Sequence, residues 1–311
     1  MKVAQNYLVL FNPSAGRGKA RKKKVLLEKN LRASAISFEL VETTSEAHLR
    51  EFARQGAVSG RRLVAAGGDS TFHIAANELL RAGSDGPLGL IGVGSSNDIA
   101  LEFGLETLER ACRALKEGRT RTIDLGAIEQ DREVLAFFLG QANIGLGVEV
   151  NRYVAALAEK KSPWAKRQTA AGLMGILKAY RLGKVPRPLK IETETGRWDE
   201  NLVLAVFSNI RYWATGKMMC PEARPDDGLL DACLFRACSF RRLIRLNTLA
   251  GRGRHARARE VEMLRSRSFE ITSDEPFEIQ TDGEILKSRS GQTLFQKIRF
   301  SILPAALKLF C

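Results

Sequence analysis

The sequence predicts an α/β plus all-β chain: a doubly wound three-layer α/β domain in residues 1–122, followed by an antiparallel β-sandwich domain in residues 123–303. In the first part, short apolar runs alternate with amphipathic stretches, the pattern of parallel strands joined by helices. In the second part, strand-like runs mostly follow one another without helices, the pattern of an antiparallel sandwich. The 311 residues also exceed the usual size of a single core, which favours two domains.

The first part contains four predicted strands with helices between them. The strands lie at 7–11, 36–41, 63–66 and 88–93, and the helices at 19–31, 45–55, 72–80, 99–103 and 106–118. A parallel sheet of this kind binds its ligands beyond the carboxyl ends of its strands. The loops that follow the strands are therefore the expected position of a site.

The second part contains eight predicted strands and two helical inserts. The strands lie at 120–129, 134–142, 189–193, 201–208, 230–235, 269–271, 277–281 and 297–302. The inserts, residues 149–182 and 240–251, mix apolar residues with lysines and arginines. Their apolar faces could cover the sandwich or lie on a bilayer surface, and the sequence leaves both readings open.

Positive charge is the main compositional feature of the chain. The formal net charge is +14, and basic residues are dense in 17–24 and in 236–267. Such charge attracts nucleic acid, anionic lipid headgroups or polyphosphates. No helix-turn-helix, zinc-finger or RNP-like pattern is present, so we expect no nucleic acid partner and favour a membrane surface. Solvated helix faces are the alternative.

The sequence also indicates the cellular compartment in which the protein is expected. No apolar run approaches the roughly 20 residues that span a bilayer, and the first six residues lack the apolar core of a signal peptide. We therefore expect a cytoplasmic protein. The five cysteines are irregularly spaced, which favours reduced thiols, and the three histidines lack the spacing of a zinc site.

Three loops rich in glycine, serine, asparagine and aspartate follow three of the predicted strands. They lie at 12–18, 67–71 and 94–98. A turn between a strand and a helix directs backbone N–H groups and a helix dipole into one volume, which favours phosphate. Asp69 would repel phosphate unless a metal lies between them, so this loop suggests a Mg²⁺-nucleotide site. A tight turn with Asp69 as a helix cap is the alternative.

Read together, the motifs resemble those of the diacylglycerol kinase catalytic-domain family of lipid kinases, which includes bacterial lipid kinases and the sphingosine and ceramide kinases. The similarity runs in order from residue 8 to about residue 309. The matching segments are Asn12-Pro13-Ser14-Ala15-Gly16, Gly67-Gly68-Asp69-Ser70-Thr71, Gly92-Val93-Gly94-Ser95-Ser96-Asn97-Asp98, Ile123-Asp124-Leu125-Gly126, Asp226-Asp227-Gly228 and Asp282-Gly283-Glu284.

The resemblance implies ATP and Mg²⁺ as cofactors, an active site between the domains, and a C-terminal tail, residues 304–311, that returns to the first domain. It makes Glu284 the base that accepts the hydroxyl proton, an assignment that the flexible glycine before it also favours. Asp69 would act at Mg²⁺-ATP. The expected nucleotide-binding residues are Asn12, Ser14, Gly16, Thr43, Gly67, Gly68, Asp69, Ser70, Thr71, Ser95, Asn97 and Asp98.

A separate structural Mg²⁺ is also implied by the resemblance. Its expected ligands are the Asp227 carboxylate and the backbone of Arg224 and Leu229, and Asp124 is expected in a metal and water network. The implied acceptor is a lipid, diacylglycerol or a related long-chain alcohol. The implied location is the inner face of an anionic membrane, with peripheral attachment. The sequence leaves open whether the chain forms a homodimer.

Two departures from the family pattern bear on activity. Ser70 replaces a glycine, and its Cβ is expected to penalise a positive φ and to narrow the approach to phosphate. His73 stands in a segment that commonly reads Asn-Glu. Two other functions therefore stay open: a kinase for a soluble metabolite, of the NAD kinase type, and a weakened relative that only binds lipid or nucleotide.

Overall fold

The computed structural model describes residues 6–159 and 168–311. Its first part is a parallel sheet with helices on both faces. The elements are β1 Tyr7–Phe11, α1 Lys24–Ala33, β2 Phe38–Glu42, α2 Glu46–Val58, β3 Arg62–Gly67, α3 Asp69–Arg81, β4 Leu88–Gly92, α4 Asp98–Glu102 and α5 Leu108–Glu117.

The strand order of the first part brings the loops together. The strands pair in parallel in the order β2, β1, β3, β4, so the segments after β1, β3 and β4 are spatial neighbours. Helix α1 packs with α5 and helix α2 packs with α3, which gives the three predicted layers. The first helix begins at Lys24, later than predicted, because residues Lys19–Lys23 form a 3-10 turn.

The second part is an antiparallel sandwich with helices on one side. Its elements are β5 Thr120–Gln130, β6 Glu133–Phe138, β7 Gln141–Gly145, α6 Leu146–Glu159, α7 Gln168–Arg181, β8 Arg187–Glu192, β9 Arg197–Ser208, β10 Tyr212–Trp213, β11 Lys217–Met218, β12 Leu230–Arg236, α8 Phe240–Leu249, β13 Val261–Ser266, β14 Ser268–Phe277, β15 Ile279–Thr281, β16 Glu284–Ile285 and β17 Phe295–Phe310. The predicted fold class, α/β followed by a β-sandwich, is confirmed.

Three features of the sandwich differ from the prediction. The strand expected at 134–142 is two strands, because Leu139 and Gly140 leave the β6 ladder and turn toward β7. Strand β13 was not predicted at all. The last strand, β17, is 16 residues long and includes residues 304–310.

The two parts share one sheet, because β17 pairs with strands of both. Strand β17 pairs antiparallel with β5 along most of its length, and its end pairs in parallel with β4 at Leu309 and Leu88. The ladder with β5 is irregular between Leu303 and Leu307, where Ala305 has a φ of +50°. The C-terminal strand thus runs from the sandwich to the edge of the parallel sheet.

The helical inserts bury their apolar faces against the sandwich. Leu243 and Leu246 of α8 join a core with β9 and β12 residues such as Val206 and Phe235. These helices therefore cover one side of the sandwich. Among the described residues, no helix is both long and apolar enough to cross a bilayer. The part of the first insert at 160–167 lies outside the described residues.

Candidate active site

The three glycine-containing loops are joined by backbone hydrogen bonds. The Asn12 N–H donates to the Ala66 carbonyl at 2.9 Å, and the N–H groups of Val93 and Gly94 donate to the Gly67 carbonyl at 2.8 and 3.0 Å. A Cβ on Gly16 would lie 3.3 Å from the Gly94 carbonyl carbon. The loops therefore form one surface at the carboxyl ends of β1, β3 and β4.

Glycine is required where this surface is most tightly packed. A Cβ on Gly67 would lie 2.2 Å from the Thr71 hydroxyl oxygen, and a Cβ on Gly94 would lie 2.7 Å from the Gly68 Cα. Real Cβ atoms do not approach other atoms this closely, so a side chain at either position would push the loops apart. The loops therefore pack backbone against backbone where α3 begins, and a helix N-terminus favours an anion.

Side chains of the first loop brace the second. The Asn12 amide donates to the Thr71 hydroxyl at 3.0 Å and accepts from the Ser14 N–H at 3.0 Å. Thr43 is buried, and its hydroxyl donates to the Phe11 carbonyl at 3.2 Å. Ser95 is exposed beside Gly16. Thr43 thus fixes the end of β1, whereas Ser14 and Ser95 lie on the loops themselves.

Asp69 connects the second and third loops. It is the first residue of α3, and its carboxylate accepts the N–H groups of Ile99 at 3.1 Å and Asp98 at 3.2 Å. It therefore caps α4 rather than its own helix, which is a form of the capping alternative. Burial raises its pKa to about 7, and the nearby Asp98 and Asp282 carboxylates add to the effect. A cation bound here would stabilise the ionised form of the Asp69 carboxylate.

Asp98 ties the third loop to the sandwich. Its carboxylate accepts the Ser96 hydroxyl at 2.6 Å and the backbone N–H groups of Thr215 at 3.1 Å and Gly216 at 2.6 Å. The preceding Asn97 has a φ of +55°, and its buried Oδ1 has no hydrogen-bond partner among the described residues. Asp98 thus holds the third loop against the sandwich, and the side-chain oxygen of Asn97 remains free to accept a hydrogen bond.

Asp282 is the most heavily hydrogen-bonded carboxylate near the loops. It accepts the N–H groups of Leu139 at 2.8 Å, Gly140 at 3.0 Å and Gln141 at 2.8 Å. His73 Nδ1 of α3 lies 3.3 Å from Asp282 Oδ2, and both side chains are buried. His73 therefore connects the helix after the second loop to the Asp-Gly-Glu segment, a contact that the sequence did not reveal.

Ser70 does not adopt the strained backbone expected from the sequence. It lies in the first turn of α3, and its φ is not positive, so the predicted φ penalty is wrong. A Cβ on Gly283 would lie 3.8 Å from the Ser70 Cβ. Ser70 therefore lies beside the Asp-Gly-Glu segment as well as in the second loop.

Glu284 begins β16, directly after a sharp backbone turn. Asp282 and Gly283 have φ values of +45° and +98°, and Glu284 pairs with Thr281 across the hairpin. The Gly283 carbonyl accepts the Asn151 amide at 3.1 Å. The turn lies beside Ser70 of the second loop and leaves the Glu284 side chain half-buried.

One cavity joins this polar region to an apolar interior. Its volume is about 450 Å³. The polar end is lined by Asp69, Asp98, Asp282 and Gly283, with Arg17 and Lys217 supplying positive charge. Burial lowers the pKa of Lys217. The apolar end lies among α6, α7, α8 and the sandwich and is lined by Leu146, Val150, Leu173, Ile176, Leu204, Phe235 and Leu243.

The expected structural metal segment has a different set of contacts. The Asp227 carboxylate pairs with the Arg265 guanidinium and accepts the Leu229 N–H at 3.1 Å, and Arg265 Nε lies 3.3 Å from Asp231. The Asp124 carboxylate accepts the N–H groups of Gly228 and Ala305, both at 2.7 Å. Both oxygens of each expected ligand, Asp227 and Asp124, therefore already have partners.

The donor set at this segment does not fit a divalent ion well. Arg265 already supplies a positive charge to the two acidic side chains, and Arg224 pairs with Asp226 at 3.9 Å. Within residues 6–159 and 168–311, no group of three His, Cys, Asp or Glu side chains is arranged to hold a metal. The structural Mg²⁺ at Asp227, Arg224 and Leu229 remains a prediction that requires displacement of Arg265.

Comparison with known proteins agrees with this architecture. Residues 6–128 match the diacylglycerol kinase catalytic domain, and residues 140–311 match the YegS C-terminal NAD kinase beta sandwich-like domain. A probable lipid kinase YegS-like from Pseudomonas aeruginosa is 30% identical over 79% of this chain and 75% of its own length. A diacylglycerol kinase from Mycobacterium tuberculosis is 32% identical over 66% of this chain and 64% of its own length.

The fold is also found in solved structures. A putative diacylglycerol kinase from Bacillus anthracis superimposes with a TM-score of 0.77 at 20% identity, over 100% of this chain and 96% of that chain. The two matched domains together extend over almost the whole sequence. The chain therefore belongs to the family of lipid kinases that combines these two domains, as its motifs predicted.

Loss of Arg265 tests the metal prediction. Arg265→Gln removes the cation shared by Asp227 and Asp231, so we expect the free energy of unfolding to fall by about 1–2 kcal/mol, between the values typical of exposed and buried ion pairs. Added Mg²⁺ should raise the melting temperature of the variant and leave that of the wild-type protein unchanged. Arg267→Gln, at an exposed arginine without an ion pair among the described residues, is the control. A wild-type melting temperature that rises with Mg²⁺ would favour the predicted metal.

Proposed function

We propose that this protein transfers the γ-phosphoryl group of ATP to the hydroxyl of diacylglycerol or a related lipid. The observation that carries the proposal is the continuous cavity, with phosphate-type loops and carboxylates at one end and an apolar pocket at the other. A long-chain alcohol matches this distribution, because its hydroxyl can reach the loops while its chains bury apolar surface.

On the donor side, the three loops supply the groups that a triphosphate needs. The backbone at Gly94 closely approaches the backbone at Gly16 and at Gly68, and α3 begins at the second loop. Arg17 and Lys217 add positive charge where the loops meet the cavity. When bound with ATP, Mg²⁺ would neutralise phosphate charge, and Asp69 is the carboxylate placed to favour it.

On the acceptor side, Glu284 is the proposed base. The turn at Asp282 and Gly283 holds it beside the polar end of the cavity, and the hydrogen bonds of Asp282 keep that turn rigid. Glu284 accepts the proton of the lipid hydroxyl as the oxygen attacks the γ-phosphorus, and ADP leaves. His73 positions the acceptor side of the site and Asp98 positions the donor side, and neither residue takes part in the proton transfer.

The two other functions that the sequence left open are less well supported. The apolar end of the cavity offers little to a soluble, polar metabolite. A relative that only binds lipid or nucleotide was suggested mainly by Ser70 and His73. Ser70 lies in an unstrained helical turn, and His73 stabilises Asp282, so neither residue disrupts the site.

Phosphoryl transfer is tested with γ-labelled ATP and a panel of diacylglycerols, sphingoid bases and NAD. We expect label in diacylglycerol, and Glu284→Gln should lower kcat by about 10²- to 10⁴-fold while ATP affinity stays close to that of the wild type. Label in NAD alone would overturn the lipid assignment. A variant with wild-type turnover would show that Glu284 is not the base.

The apolar end of the cavity is tested with two neighbouring residues. Leu173 and Met174 of α7 are 38% and 39% exposed, but only Leu173 lines the cavity. Leu173→Glu should raise the KM for a long-chain diacylglycerol by roughly tenfold or more, because the bound acyl chains would cover the new charge and remove it from water. Met174→Glu makes the same chemical change outside the cavity and should leave KM nearly unchanged. Equal effects of the two substitutions would contradict a lipid pocket here.

We further propose that α8 docks the protein on an anionic membrane surface. Arg241 and Arg245 are exposed and form no ion pair with the described residues, whereas Arg242 pairs with Glu260 at 2.7 Å. The opposite side of the same helix reaches the cavity through Leu243 and Asn247. Each basic side chain near an anionic leaflet contributes about 1 kcal/mol of binding. Attachment by α8 would thus bring the cavity to the lipid.

Charge removal on α8 tests this attachment. Arg241→Gln combined with Arg245→Gln should weaken sedimentation with anionic vesicles roughly tenfold or more and should lower activity on vesicles more than activity on a short-chain, dispersed substrate. Binding should also weaken as salt rises, because screening shortens the range of the attraction. Arg113→Gln combined with Lys116→Gln removes the same charge from α5 and is the control. Vesicle binding that is indifferent to lipid charge would refute docking by α8.

A further inference from the structure

A strip of buried amide side chains lies in the wall of the cavity. Gln141 and Asn143 are on β7, and Gln280 is on the neighbouring β15, directly opposite Asn143. All three are buried, and both glutamines line the cavity. Buried amides are costly unless they are hydrogen-bonded, and among the described residues the buried Asn143 Oδ1 has no partner.

Asn143 fixes the orientation of both glutamines. Its Nδ2 donates to Gln141 Oε1 at 3.3 Å and to Gln280 Oε1 at 3.1 Å. The two glutamine oxygens are therefore engaged. The two Nε2 groups donate to no acceptor among the described residues, although the side chains border the cavity. The arrangement leaves two N–H donors for a ligand that carries acceptor oxygens.

The strip lies next to the reacting end of the cavity. The Gln141 N–H donates to Asp282 at 2.8 Å, and Gln280 precedes the Thr281-Asp282-Gly283 turn by one residue. Groups of the acceptor bound here are therefore close to its reacting hydroxyl. In an acylated glycerol, ester carbonyl oxygens lie a few bonds from the free hydroxyl. In a sphingoid base, an ammonium group occupies the comparable place.

We propose that Gln141 and Gln280 select esterified glycerol by donating hydrogen bonds to its ester carbonyl oxygens. This inference rests on the proposed lipid kinase function and names its acceptor more narrowly. An ammonium group carries only donors, so the amide N–H that faces it would be left without an acceptor. The strip thus favours diacylglycerol, whose two ester carbonyls match both donors, over a sphingoid base, which leaves one donor facing a cation.

The test compares two lipids that differ only in the proposed contact. A 1,2-diacylglycerol and the 1,2-dialkylglycerol of equal chain length share the hydroxyl, the stereochemistry and the apolar chains, but the diether lacks carbonyl oxygens. Wild-type kcat/KM should be roughly tenfold or more higher for the diester. The difference should appear mainly in KM, because the carbonyls are bound in the ground state as well as in the transition state.

Substitution of the glutamines should remove this preference. Gln141→Met and Gln280→Met keep length and volume but remove the donor, so each should lower the diester-to-diether ratio of kcat/KM. The matched control is Asn247→Met. Asn247 also lines the cavity, but it lies on α8, away from the strip. That control should keep the wild-type ratio, and melting temperatures identify any variant that fails to fold.

A binding measurement separates failure of this inference from failure of the function. Trp213 lines the cavity, so lipid binding can be followed by tryptophan fluorescence without turnover. If no lipid is phosphorylated, the lipid kinase function fails, and the ratio of the two binding constants still decides the role of the strip. Equal wild-type affinities for diester and diether, or tighter binding of a sphingoid base than of the diester, would overturn the proposal.

Discussion

The hydrogen bonding of Asp282 is the constraint on which the arrangement of the site depends. Three successive backbone N–H groups, from Leu139 to Gln141, converge on its carboxylate, and His73 reaches it from α3. A carboxylate with three such donors is held strongly, since hydrogen bonds to charged acceptors are the strong ones. Because Asp282 precedes Gly283 and Glu284, the same contacts fix the turn that carries the proposed base. The proposed base is therefore held beside the glycine-containing loops by a neighbour that has no proposed part in the chemistry.

Other acidic residues of the motifs act in the same manner. Asp69 caps α4, Asp98 binds the backbone after β10, and Asp124 binds the backbone of Gly228 and Ala305. Each carboxylate thus joins segments that are far apart in the sequence but adjacent at the domain boundary. Burial, together with the nearby carboxylates of Asp98 and Asp282, raises the pKa of Asp69 and so makes its ionised form costly. A site of this kind gains stability when a cation or a protonated donor enters, which suits a metal-bound nucleotide.

Local patterns account for the parts that the sequence predicted. Apolar runs and glycine-containing turns are short-range signals, and they placed the parallel strands, the three loops and most of the sandwich. The contacts of His73 with Asp282, of Arg265 with Asp227 and of Asn143 with Gln280 could not be predicted, because these partners lie far apart in the chain and no sequence spacing links them. Strand β13 was missed because its residues do not alternate between buried and exposed positions, so the sequence carries no strand periodicity there. The Ser70 expectation failed for a geometric reason: the chain at that point is already helical.

The position of α8 relates the charge of the protein to its cavity. A net charge of +14 suggests a broadly basic surface, but many arginines are paired, including Arg242 with Glu260. What distinguishes Arg241 and Arg245 is that they form no ion pair with the described residues and lie on a helix whose opposite side contacts the cavity through Leu243 and Asn247. Under the proposed docking, attachment and substrate uptake would involve one helix. An acceptor would pass from the leaflet along α8 with its chains in the apolar end, and its carbonyls would meet the glutamine strip as the hydroxyl reaches Glu284. Under this arrangement the lipid headgroup is recognised only beside the reacting groups. The protein would then distinguish lipids by the chemistry of their headgroups and not by the charge of the membrane.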